Sequence, residues 1–180
     1  RLYRASAFQD LRFPEDMKVS EDNIWMSAVI DRTRSIQLTD DQGYFYIAYE
    51  QGCLTKQIHP NLYQYHKRVH ESIRSTLDRN GWLTPDAQAM LDEKAVWWAK
   101  GPVASICRGP WPSREKIGYI EKILGDPLLI QSIGRLKPEQ LDERSRMMAS
   151  GDARALLRFY TRMYKRRALT QRMPDWMRRA

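Results

Sequence analysis

Two cysteines in 180 residues, Cys53 and Cys107, are too few and too far apart for a disulfide framework, and they match no metal-ligand spacing. A reducing, cytosolic setting is the expectation. No apolar stretch nears the roughly 20 residues that a spanning helix requires, and no charged, apolar and small-residue succession opens the chain. The sequence therefore predicts neither a membrane crossing nor an export signal of its own. Internal repeats and low-complexity tracts are missing as well. Acids are scarce in one region above all: from residue 154 to 180 nine Lys or Arg face a single acid, Asp175, and this stretch accounts for the whole formal charge of +8. A neutral protein with a basic end directs the search for an anionic partner to that end. With 42% hydrophobic residues the chain can bury one ordinary core and a small satellite. It opens on Arg1-Leu2-Tyr3-Arg4 without an initiator methionine, and reads as a piece of something longer.

The elements divide near residue 58. Before it, Ser20 to Arg34 predicts a helix: Ser20 is placed to cap the first amides, and Glu21 and Asp22 lie where the helix dipole favours negative charge. Trp25, Ala28, Val29 and Arg32 then repeat at helical spacing. Ser35-Ile36-Gln37-Leu38 alternates as a short strand, Asp40-Asp41-Gln42-Gly43 reads as a turn, and Tyr44 to Tyr49 is rich in strand-favouring aromatics. After it, helices are expected at about Asn61 to Arg79, Thr84 to Lys100, Ser113 to Leu124, Pro127 to Leu136, Pro138 to Ala149 and Asp152 to Arg167, divided by Gly and Pro punctuation. The expected fold is an α/β front end (1–58) followed by a mainly helical extension with a basic tail (59–180).

Adjacent acids at a helix start are commonplace as caps. Here they have company: Leu2-Tyr3-Arg4, Phe13-Pro14-Glu15, Ser20-Glu21-Asp22, the helix bearing Trp25, and the aromatic run Tyr44-Phe45-Tyr46 follow one another in order. That succession resembles the second half of family 2 glycosyltransferases of the GT-A fold, over about the first 55 residues. The resemblance implies that Asp22 is the general base taking the proton from an acceptor hydroxyl, and that Glu21 orients it or contacts the acceptor. A sugar hydroxyl is a poor nucleophile, and a carboxylate within hydrogen-bond reach is the simplest base for it, worth about 10²–10⁴-fold. An inverting displacement needs only that one base, without the nucleophilic carboxylate of a retaining enzyme.

The same resemblance puts Trp25, Thr55 and Lys56 on the substrate side, the latter two in a loop near the donor diphosphate. A solvated loop lysine is the plain alternative for Lys56, and Ala48-Tyr49-Glu50 stands where many relatives carry an arginine. The implied whole is an enzyme of bacterial surface polysaccharide synthesis, using a nucleotide sugar with Mn or Mg and a glycan or lipid-linked acceptor. The nucleotide-sugar-binding half with its DxD-type acids has no counterpart in these residues, and this chain alone is expected to bind neither donor nor metal.

Elsewhere the residues have ordinary readings. His66 and His70 form an i, i+4 pair with no third ligand nearby, Trp97-Trp98 read as core before sugar platform, and Met147, Met148 and Met163 as packing. In the tail, Arg158, Arg162, Lys165, Arg166 and Arg167 interleave with aromatic and apolar residues, which suits peripheral contact with an anionic membrane at its inner face, or a solvated basic face on a packed helix. The competing function is a helical nucleic-acid-binding module that uses the same cations, although it leaves Phe13 to Tyr46 unexplained.

Overall fold

The computed structural model describes residue 6, residues 8–35 and residues 58–172, with side chains through residue 167. Among the described residues seven α-helices form and no strand. This corrects the expected α/β front end: the part of the first segment that is described folds as irregular chain and one helix, and the protein is mostly helical. The strands expected at 35–38 and 44–49, and Thr55 and Lys56 after them, fall almost wholly outside the described residues. The chain divides into two compact units, residues 1–91 and residues 92–180.

In the first unit, α1 (Glu21–Arg32) packs against α2 (Leu62–Arg79). Met17 and Val19, just ahead of α1, are buried together with Val29 of α1 and Tyr63, Val69 and His70 of α2. Apolar residues three and four apart give each helix one side to bury. Helix α2 ends as its Asn80-Gly81 predicts. Gly81 takes φ 68°, its amide donates to the Asp78 carbonyl and the Trp82 amide to that of Leu77, so the last carbonyls are satisfied by a left-handed C-terminal turn that a side chain would strain. The start of α1 departs from expectation. Ser20 makes no side-chain cap bond and holds φ 66°, alone among the described non-glycine residues in the left-handed region.

Helix α3 (Pro85–Arg108) opens on Thr84, whose hydroxyl accepts the Ala87 amide at 3.2 Å. It was expected to stop at Lys100, before Gly101-Pro102; instead it runs eight residues further, with Pro102 inside. The proline costs the helix about 3 kcal/mol. Burial of Ala99, Val103, Ile106 and Cys107 along a continued helical stripe outweighs it. Gly109 then ends the run against the Trp111 ring, which stands where a Cβ would be and is tilted on Tyr119.

The second unit adds α4 (Ser113–Leu124), α5 (Pro127–Arg135), α6 (Glu143–Ala149) and α7 (Ala153–Arg172). Helix α7 packs on α4 and α6, and α5 on α4 and α6. Its core holds Ile120, Leu129, Leu156 and Tyr160, all nearly inaccessible. The helix expected over 138–149 is split into a 3₁₀ turn, Pro138–Gln140, and α6. Asp142 is the reason: its carboxylate accepts the Ser145 amide at 2.9 Å and so caps a new helix, where an aspartate favours the end over the interior. Among the described residues no helix is long and apolar enough to cross a membrane.

Candidate functional site

The front segment is dense in acids, and their partners sort them. Asp10 takes a two-pronged bond from Arg32, with Nη1 to Oδ1 at 2.5 Å and Nη2 to Oδ2 at 2.8 Å, and that hydrogen bonding lowers its pKa to about 2. Asp16 accepts from Arg68 at 2.5 Å, which lowers its pKa too. Asp31 accepts from Arg79 and from Asn80. Asp22 differs. It is exposed in the first turn of α1, its neighbour Asn23 donates to Oδ1 at 3.0 Å, and no Lys or Arg among the described residues pairs with it. Glu21 beside it is half-buried.

Trp25 stands three residues after Asp22, hence on the same side of α1. Its ring is stacked on Phe13 at 5.2 Å between centroids and met edge-on by Phe8 at 6.4 Å. Trp25 is half-buried, while Phe13 is 51% exposed. The sequence reading used Phe13 as a landmark of the resemblance and not as a contact residue, since nothing in spacing alone shows a ring two turns upstream folding onto α1. Ser20, expected to be an ordinary cap, is not one. The left-handed backbone at that serine, immediately before Glu21-Asp22, is a strained feature of the kind that gathers at functional sites.

The remaining candidates fall elsewhere. Of the tail cations, Arg158, Arg162, Arg166 and Arg167 come together on one side of α7, around a cavity of about 670 Å³ shared with α6; Lys165 is exposed outside it. Among the described residues no group of three or more His, Cys, Asp or Glu side chains stands close enough to hold a metal ion, and His70 of the His66–His70 pair is buried at 2% exposure. Trp97, expected in the core, is 61% exposed with the Lys94 ammonium 5.3 Å from its ring centre. Met148 is buried as expected, and Met147 and Met163 are half-buried and line the cavity.

In the second unit Asp92 and Asp142 are held by the fold. The Asp92 carboxylate, 1% exposed, accepts from Nε and Nη2 of Arg135, both at 2.7 Å, and from the Ser132 hydroxyl at 3.0 Å. For Asp142, burial pushes the pKa up, but the Ser145 hydroxyl and amide and the Lys100 ammonium at 2.9 Å outweigh it and hold the group well below the usual carboxylate range. Burial raises the Cys107 thiol to about 11, which makes it a packing residue and not a nucleophile. Comparison of the chain with protein families, with curated proteins and with solved structures found no match.

Proposed function

We propose that this chain is the acceptor-side part of a family 2 glycosyltransferase, with Asp22 as the general base that deprotonates the acceptor hydroxyl while it attacks the anomeric carbon of a nucleotide-linked sugar. The observation that carries the reading is the contrast among the aspartates of the front segment: Asp10, Asp16 and Asp31 are each engaged by an arginine, and Asp22 is exposed with no Lys or Arg among the described residues on it. A base has to reach its substrate and accept a proton; a carboxylate locked to a guanidinium does neither well. Ser20 adds support, because its left-handed backbone directly before the two carboxylates costs about 1–2 kcal/mol, and strain of this kind gathers at functional sites.

In this reading Glu21 orients the acceptor, and the Phe13–Trp25 pair gives it an apolar ring face to lie against. Thr55 and Lys56 serve the donor diphosphate. The nucleotide sugar and its Mn or Mg belong to a nucleotide-binding half outside these 180 residues, and no step on this chain runs through the metal. The enzyme works in the cytosol at the inner face of the membrane, on a glycan or lipid-linked acceptor in surface polysaccharide synthesis.

The test is turnover of the transferase that carries these residues. Asp22→Asn lowers it by about 10²–10⁴-fold with the far-UV circular dichroism unchanged. Asp16→Asn, which removes an arginine-bound acid from the same segment, leaves turnover near that of the wild type. Equal turnover in the two variants removes Asp22 from the mechanism.

A further inference from the structure

The cavity on the second unit has a construction of its own, independent of the transferase reading. Along α7 the buried stripe is Ala153, Leu156 and Tyr160, at steps of three and four, and it faces the unit's core. Offset from it runs a second stripe, Ala155, Phe159 and Met163, which with Met147 of α6 lines the cavity of about 670 Å³. Arg158, Arg162, Arg166 and Arg167 edge that lining, and Glu143 is the one acid among the described residues around it. Arg158 has a loose contact with Asp152 at 4.0 Å. An apolar floor and a cationic rim are thus set side by side by the helical repeat.

We infer that the groove between α6 and α7 docks onto an anionic lipid bilayer, its arginines on the phosphate headgroups and its apolar floor at the acyl boundary. Charge complementarity selects an anion. The floor selects the bilayer over a nucleic acid: phosphate neutralisation has no use for buried apolar surface. Met147 and Met163 offer a conformable face to acyl chains, and the Phe159 ring beside them is half-buried. Groups of this kind bind at the interface without crossing it.

The experiment is co-sedimentation of the full chain with phosphatidylcholine vesicles, with and without phosphatidylglycerol, at physiological salt. The wild type sediments with the anionic vesicles only. The combined variant Arg158→Glu, Arg162→Glu, Arg167→Glu loses about tenfold or more in partitioning. The charge-matched control Arg34→Glu, Arg74→Glu, Arg114→Glu, which alters exposed arginines that do not line the groove, stays within about twofold of the wild type. Arg162→Glu alone, read if the combined variant does not fold, costs about fivefold. Met163→Gln costs about threefold, as a floor contact should. Equal binding to neutral vesicles, equal loss in the control, or no loss in Met163→Gln overturns the proposal. So does a single-stranded oligonucleotide that displaces the anionic vesicles and is itself released by the groove variant.

Discussion

Both units carry ion pairs in solvent, but among the described residues only the second buries a carboxylate. In the first, the ion pairs lie in solvent: Arg32 on Asp10, Arg68 on Asp16 and Arg79 on Asp31 all keep substantial exposure on at least one partner, and pairs of this sort add little to stability. In the second, a carboxylate is taken out of water altogether, with Asp92 at 1% exposure and held by Arg135 and Ser132. Removing a partner from such a group is costly, because the charge left behind has no solvent to return to. The lesson is that an acid paired at the surface keeps its solvent, while Asp92 is committed to the fold. Asp22 lies at the surface of the first unit and, among the described residues, pairs with no Lys or Arg.

The sharpest way to break this contrast in stability is Arg135→Ala. It strands the Asp92 carboxylate and is expected to lower the unfolding free energy by about 3 kcal/mol in urea titration, whereas Arg32→Ala in the exposed pair leaves the midpoint almost in place. A similar loss in both would erase the distinction. Asp142→Ala removes the cap of α6 and is worth about 1 kcal/mol at neutral pH. The sign with pH follows from its lowered pKa: the stabilisation is full above the unfolded value of about 4 and disappears as the pH falls toward the folded value, so the gap between wild type and variant closes in acid. A gap that stays constant as the pH falls below about 4 would mean that the charge plays no part. Smallest is Ser20→Gly. Relief of about 1–2 kcal/mol of left-handed strain is offset by about 0.5–1 kcal/mol of lost chain entropy, leaving a gain of about 0.5 kcal/mol. A destabilised Ser20→Gly would show that the serine side chain contributes a contact the backbone conformation does not reveal.

Where the helices end was legible when the chemistry was local. Thr84-Pro85, Asn80-Gly81 and Asp126-Pro127 mark boundaries that form as read, since a cap or a left-handed turn needs only its own neighbours. It failed where burial decided. Nothing local says that α3 passes through Gly101-Pro102, because what carries it onward is the apolar stripe from Ala99 to Cys107 meeting its own unit's core. The break at Asp142 had a local sign, an aspartate in a predicted helix interior, that was outweighed by a favourable helical pattern around it. At the candidate site, the exposed carboxylate at the head of α1 was readable from Ser20-Glu21-Asp22, and the cation-lined side of α7 from the spacing of its arginines. The ring stack of Phe13 on Trp25, the strained serine and the buried Asp92 were not, because each depends on which distant side chain arrives to meet it.

The most direct measurement is a separation of kcat from the acceptor KM in Asp22→Asn of the proposed transferase. If Asp22 removes the proton in the transition state, kcat falls by about 10²–10⁴-fold while the acceptor KM moves little. A loss confined to KM with kcat preserved would make Asp22 a binding group and contradict the account.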